Sequence, residues 1–280
     1  MTQDRYSRQS LYNPADQTEP AKLAGARIAI VGLGGLGSQV ADKLARLGIG
    51  YLRLIDHDQV ELSNLHRTAL YTEQDVNQAK CLALAEHLRA INAQIEIEPQ
   101  SDCLADDNLV DLLGGVDLLI DCTDNLPARA LINRFAVQNQ IPWVHGAVQG
   151  WAGCAKAFLP GQACWACYNQ VGSNLDKIYT SPEACHSRGS GNPAKFLSTL
   201  EHKGKSFTFL EREDKASISN NRVAPLAVAQ VAIWQVDFAC RVILGSEVDS
   251  RLYYADVRQG RFSKIEIKKS QNCKLCSQDW

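Results

Sequence analysis

From residue 26 onward the chain alternates short apolar runs with longer segments whose apolar residues recur every three or four positions. Residues 26–32 (ARIAIVG) form an apolar run ending in glycine, the pattern of a strand buried on both faces. Further strands are expected at 51–55, 95–98, 117–121 and 142–145. Between them, helical periodicity predicts helices at 36–47, 77–91, 107–113 and 128–138. Strands alternating with helices imply an α/β fold with a Rossmann-like, doubly wound, mostly parallel sheet.

After residue 150 the rhythm breaks. Residues 151–159 read as a strand outside the βα alternation, and 168–220 are polar with no sustained periodicity, the composition of a long loop or lid. An apolar helix is expected at 224–243, then two short strands at 252–256 and 262–267, antiparallel additions to the sheet. The division expected is one domain over 1–280: an N-terminal arm (1–25), a crossover loop or lid (168–222), and C-terminal strands with a cysteine-bearing end (251–280).

Composition narrows the classes. Of 280 residues, 45% are hydrophobic and 21% charged, enough for a sizeable core, and the net charge of -2 argues against a nucleic-acid binder that works through a basic face. No apolar run approaches the roughly 20 residues a membrane span needs, and the N-terminus has no apolar signal region, so a cytoplasmic protein is expected. Ten cysteines include two CxxC pairs, Cys164/Cys167 and Cys273/Cys276. Each pair alone reads as a redox dithiol; four thiolates brought together would make a closed tetrahedral zinc site. Most of the other cysteines sit among aliphatic neighbours and read as small buried hydrophobes.

Between the first strand and helix lies Gly32-Leu33-Gly34-Gly35-Leu36-Gly37. Its glycines let the backbone turn tightly and approach a phosphate at a helix N-terminus, and Asp56 ends the next strand where a ribose hydroxyl would lie. These residues fit an NAD-dependent oxidoreductase and an adenylating enzyme equally well. No lysine follows the loop in P-loop fashion. Beyond Asp56 come polar groups that an NAD site does not need: Asp58, Asn64, Arg67, Lys80, and Asp124-Asn125 at the end of a later strand. Arg67 and Lys80 supply cations for a triphosphate, and Asp124 a carboxylate for Mg²⁺.

Together GxGGLG, D-x-D-x-V-x-x-S-N-L-x-R, the downstream lysine, C-T-D-N and the opening Arg5-Tyr6-Ser7-Arg8-Gln9 resemble the MoeB/ThiF/HesA family, relatives of the ubiquitin-activating enzymes. The resemblance implies ATP- and Mg²⁺-dependent formation of an acyl-adenylate, with the nucleotide in the glycine loop and Asp56 on the ribose. It implies that Asn64, Arg67 and Lys80 meet the phosphates, that Asp124 holds Mg²⁺, and that Arg8 reaches the neighbouring subunit's triphosphate in a homodimer. It also implies a structural zinc on Cys164, Cys167, Cys273 and Cys276. The expected substrate is the C-terminus of a ubiquitin-like sulfur carrier or a ribosomal peptide. A small-molecule or tRNA-base carboxylate, an NAD-dependent oxidoreductase and a nucleotide-sensing module stand as alternatives.

Simpler readings accompany several residues. Asp58 could cap the turn after it. Asp121 reads as structural, Arg129 as a surface salt-bridge partner, and His66, His145 and His186 show no partner pattern. The family's crossover-loop cysteine has Ser217 in its place, and Cys185 is a candidate displaced thioester or persulfide residue.

Overall fold

A computed structural model of the chain describes residues 5–9, 12, 15–169, 198–202, 205–209 and 222–277. Helix α1 (Glu19–Gly25) leads into β1 (Arg27–Val31), α2 (Gly35–Leu47), β2 (Tyr51–Ile55), α3 (Lys80–Ile91) and β3 (Glu96–Gln100). Next come α4 (Leu109–Leu113), β4 (Leu118–Asp121), α5 (Leu126–Gln138), β5 (Trp143–Gln149), β6 (Ala152–Phe158) and α6 (Trp165–Asn169). A separate hairpin of β7 (Ser198–His202) and β8 (Lys205–Phe209) precedes α7 (Pro225–Leu244), β9 (Leu252–Asp256) and β10 (Arg261–Ile265).

The main sheet runs β10-β9-β6-β5-β4-β1-β2-β3. Strands β3, β2, β1, β4 and β5 pair in parallel, whereas β6, β9 and β10 add antiparallel. Alternate residues of β1 face opposite layers. Ile28 and Ile30 pack with Val40 and Leu44 of α2, Leu84 and Leu88 of α3, and Val231 of α7. Ala29 and Val31 pack with Leu112 of α4, Ile132 and Phe135 of α5, and Trp165 of α6. With both faces covered by helices, the parallel strands must be apolar throughout, as their sequences are.

Contrary to the expectation drawn from apolar runs, the 20-residue α7 is long enough for a membrane span, and its most apolar 18-residue window has a mean hydropathy of 1.5. Its small residues Ala227, Ala232 and Ala239 are buried, and the helix lies against α2, β5 and β6, so its apolar character serves the core.

Three expectations are corrected. Helix α3 begins at Lys80 and not at 77: Asn77 sits in a turn with φ +72°, and Ala79 is extended and bridges to Gln59, so the helix cannot start before Lys80. The 168–220 stretch contains a hairpin, whose second strand alternates Phe207 and Phe209 with polar residues, a two-residue period too short to stand out. The expected N-terminal arm carries α1, with Glu19 and Leu23 buried.

Candidate functional site

Parallel α/β sheets gather ligands at the carboxyl ends of their strands, where the order reverses; here that is the edge shared by β1, β2 and β4. Gly32 leaves β1 at φ +84°, and a Cβ there would lie 2.8 Å from the Cys122 carbonyl oxygen after β4. A Cβ on Gly37 would lie 1.9 Å from the Gly32 carbonyl oxygen, so α2 can begin this close to the loop only as glycine. At Gly34 an added Cβ would meet nothing within 4 Å, leaving open the approach expected of a phosphate. Leu36 is buried beneath the loop, and the Arg67 side chain crosses Gly35, where a Cβ would stand 3.3 Å from Arg67 Cγ.

Asp56 is buried and anchors the loop: the Leu33 N–H donates to its Oδ2 at 2.6 Å and the Asp58 N–H to its Oδ1 at 2.8 Å. Burial pushes its carboxyl above the ordinary carboxylate value, while Lys80 and the two N–H donors act the other way. Lys80 Nζ lies 2.9 Å from Asp58 Oδ2 and 3.8 Å from Asp56 Oδ2. Asp58 therefore holds Lys80 at the loop, more than a turn cap would do.

Arg67 Nη1 donates to the Ser63 carbonyl at 2.9 Å. Asn64 ends a 3-10 turn (Leu62–Asn64), its Oδ1 accepting from the Glu61 N–H at 3.4 Å. Glu61, Asn64, Arg67, Arg222 and Val223 line an open cleft of about 520 Å³ beside the glycine loop. Asp124 is exposed at the end of β4, and Asn125 caps α5 through its Oδ1, which accepts from the Ala128 N–H at 2.9 Å.

Several residues of this site went unrecognised in the sequence. The Tyr71 hydroxyl lies 3.0 Å from the Leu33 carbonyl oxygen and 3.2 Å from that of Lys80, tying the loop to α3. Ser38 Oγ donates to the Gly34 carbonyl at 2.8 Å and accepts from the Ala69 N–H at 2.9 Å. Arg222, just before α7, had no motif to mark it.

Arg129 is buried, contrary to the surface reading: its Nε donates to Asp121 Oδ2 at 2.9 Å, and Asp121 is fully enclosed. His145 also has a partner, Asp121, at 2.7 Å. Asp121 is held down at about 2: burial opposes this, but Arg129 and the His145 and Thr123 hydrogen bonds outweigh it.

Arg8 does not join the site of its own chain. Arg5 Nη1 donates to the Ile91 carbonyl, Gln9 Nε2 to that of Leu47, and Tyr6 accepts from Asn92. These contacts place the arm at the C-terminal end of α2, whose 13 residues span about 20 Å from the glycine loop. Cys185, His186 and Ser217 lie outside the described residues.

The two CxxC pairs converge despite the hundred residues between them. Sγ distances are 3.9 Å for Cys164–Cys167, 3.6 Å for Cys164–Cys273 and 3.4 Å for Cys167–Cys276, and all four sulfurs lie within 4.8 Å of one another. Zinc–sulfur bonds near 2.3 Å in a tetrahedron put sulfurs about 3.8 Å apart, so the donor set fits Zn²⁺. Cys164 hydrogen-bonds to Cys167 Sγ and the Ser270 N–H points at it; against burial, these push the Cys167 thiol down. Val137 of α5 packs against the cluster, which fastens the chain end to the α5 side of the sheet.

Fold and site together define an α/β nucleotide-binding domain with two cations, Arg67 and Lys80, beside its glycine loop. The chain belongs to the ThiF family, whose sequence pattern matches residues 6–275. It is 29% identical over 277 residues to the sulfur carrier protein ThiS adenylyltransferase of Bacillus subtilis (strain 168), covering 97% of this chain and 71% of that protein. It is 36% identical over 169 residues to the molybdopterin-synthase adenylyltransferase of Escherichia coli (strain K12), covering 60% of this chain and 68% of that protein. E. coli MccB bound to MccA-N7isoASN shares the fold, with a TM-score of 0.74, 21% identity, and coverage of 99% of this chain and 75% of that one.

Proposed function

We propose that this chain is an ATP-dependent adenylyltransferase that activates the C-terminal carboxylate of a small sulfur-carrier protein or a peptide. The observation that carries the reading is the convergence of Gly34, Asp56, Lys80 and Arg67 at one strand edge. An NAD site needs the loop and Asp56; two further cations beside the loop serve a triphosphate. The named adenylyltransferases that the chain resembles support the same reaction.

In that reaction a substrate carboxylate oxygen attacks the α-phosphorus, the bond to the bridging oxygen breaks, and pyrophosphate departs. No protein nucleophile is required; the enzyme holds the reactants in line and stabilises phosphate charge. Asp56 orients the ribose, while Arg67 and Lys80 meet the phosphates. Asn64 and Asn125, engaged locally in the free protein, line the same edge. Asp124, exposed at that edge, is the carboxylate suited to Mg²⁺, which would neutralise triphosphate charge. Zinc on the four cysteines is structural.

Arg8 of the partner subunit would complete the phosphate site in a homodimer, since the arm of each chain lies at the far end of its own α2. On this reading residues 1–280 act as one adenylation domain in the cytoplasm. Offering the enzyme ATP with a carrier protein ending in Gly-Gly, a short peptide or a small carboxylic acid tests the substrate class. Pyrophosphate release that depends on the carrier or the peptide is expected; release that depends only on the small acid would overturn the assignment.

A further inference from the structure

Beneath the exposed Asp124 lies a closed polar network that the chemistry above does not use. Asp121, the last residue of β4, is completely buried, yet its carboxylate accepts four hydrogen bonds. Oδ1 takes the Thr123 N–H at 2.9 Å and the Thr123 hydroxyl at 2.6 Å. Oδ2 takes Arg129 Nε at 2.9 Å and His145 Nδ1 at 2.7 Å. Arg129 also donates from Nη2 to the Thr123 carbonyl at 2.7 Å. Thr123 is thus gripped at its N–H, its hydroxyl and its carbonyl, and that carbonyl belongs to the peptide bond leading into Asp124.

The same strand end touches the glycine loop. A Cβ on Gly32 would lie 2.8 Å from the Cys122 carbonyl oxygen and 3.1 Å from the Thr123 nitrogen. Whatever fixes residues 121–123 therefore also fixes Asp124 relative to the phosphate cradle. Gln235 of α7 closes the network from the other side, donating to the Asp121 carbonyl at 2.8 Å. His145 stands opposite Asp121 in the β4–β5 register and is itself buried. A carboxylate only accepts, so His145 must carry its proton on Nδ1.

We propose that His145 is a positioning residue: by fixing Asp121, and through it Arg129 and Thr123, it holds Asp124 beside the glycine loop, where its carboxylate would receive a divalent cation. This rests on the adenylation reading for the cation's partner, but the clamp on Thr123 stands independently of it. Outer partners of metal ligands commonly alter metal affinity about 10- to 100-fold when removed.

Three variants test the inference: His145→Leu removes the donor, His145→Asn keeps an N–H donor near the Nδ1 position, and Thr123→Val removes one hydroxyl bond at nearly constant volume. The first readout is amide hydrogen exchange at residues 122–125 in the ligand-free protein. The second is the Mg²⁺ concentration giving half-maximal ATP–pyrophosphate exchange. In His145→Leu and Thr123→Val the amides should lose protection and the half-saturating Mg²⁺ should rise about tenfold, with the rate at saturating Mg²⁺ changed less. His145→Asn should restore both toward wild type. Should His145→Leu not fold, Thr123→Val carries the same expectation with a smaller perturbation. Unchanged amide protection overturns the inference, as does lost protection with an unaltered Mg²⁺ requirement. A wild-type protein that performs no exchange would count against the adenylation reading; the inference would then fall if the amide protection of His145→Leu matched wild type.

Discussion

The Lys80 ammonium lies 2.9 Å from a carboxylate oxygen of Asp58 and 3.8 Å from one of Asp56, at a position only 8% exposed. One lysine is thereby shared between two carboxylates gathered at the end of β2, and those carboxylates hold it beside the glycine loop. Removing it should cost stability as well as activity, because two acids would remain without their cation. We expect Lys80→Ala to lower stability by about 2–4 kcal/mol and to reduce ATP-dependent turnover at least about 100-fold. Asp58→Asn should act through Lys80, lowering turnover about tenfold, and the double variant should resemble Lys80→Ala alone in a mutant cycle. Additive losses would show that Asp58 acts independently.

The glycines of the loop should separate folding from binding. Gly34 has open space where a Cβ would go, so Gly34→Ala should shift Tm by no more than about 2 °C while weakening ATP binding about tenfold or more. Gly32 has φ +84° and the Cys122 carbonyl against it, so Gly32→Ala should cost more than about 2 kcal/mol. Thermal unfolding and nucleotide titration of both variants check the contrast.

Atomic emission of the purified protein should find one zinc per chain. Cys276→Ser, or prolonged chelation, should remove it and lower Tm by roughly 5–10 °C, because the cluster fastens the chain end to α5. At low temperature the metal-depleted protein should keep its nucleotide affinity, since the cysteines stand apart from the glycine loop. Loss of nucleotide binding without loss of stability would contradict a structural role.

Lys156 in β6 is buried, its ammonium bonded to the Ser250 carbonyl; burial pushes it down to about 8, with Asp249 opposing. Its folded pKa is depressed below the unfolded value of 10.5, so the unfolded chain binds more protons between pH 8 and pH 10.5. Stability contributed at this position therefore rises with pH across that window. Relative to Lys156→Met, the wild type should gain roughly 2–3 kcal/mol between pH 8 and pH 10.5 in denaturant unfolding. A constant difference between the two proteins would show that Lys156 keeps an ordinary pKa.

Much of this architecture was legible because local pattern and tertiary role coincide. The strands at 51–55 and 252–256 appear at the residues expected, and Gly32, Asp56, Lys80 and Asp124 are brought to one edge by the alternation that predicted the sheet. What escaped depends on contacts between distant segments. Arg129 reads as a surface residue on a helix, and only the fold shows it turned inward onto Asp121. His145 has no neighbour in sequence to mark its partner, which arrives through the β4–β5 register. The start of α3 at Lys80 depends on a bridge between Gln59 and Ala79, invisible to any single helical window. Cys185, the candidate thioester or persulfide residue, and Ser217 lie outside the described residues.

On the proposed function, the glycine loop, Lys80 and Arg67 bind ATP for attack by a carboxylate. ATP–pyrophosphate exchange with labelled pyrophosphate measures that half-reaction directly, with NAD binding followed in parallel. Exchange that requires ATP, Mg²⁺ and a carboxylate substrate together, and that is lost in Lys80→Ala and Arg67→Ala, is the predicted result. Tight NAD binding, with no exchange across carrier, peptide and small-acid substrates, would contradict it.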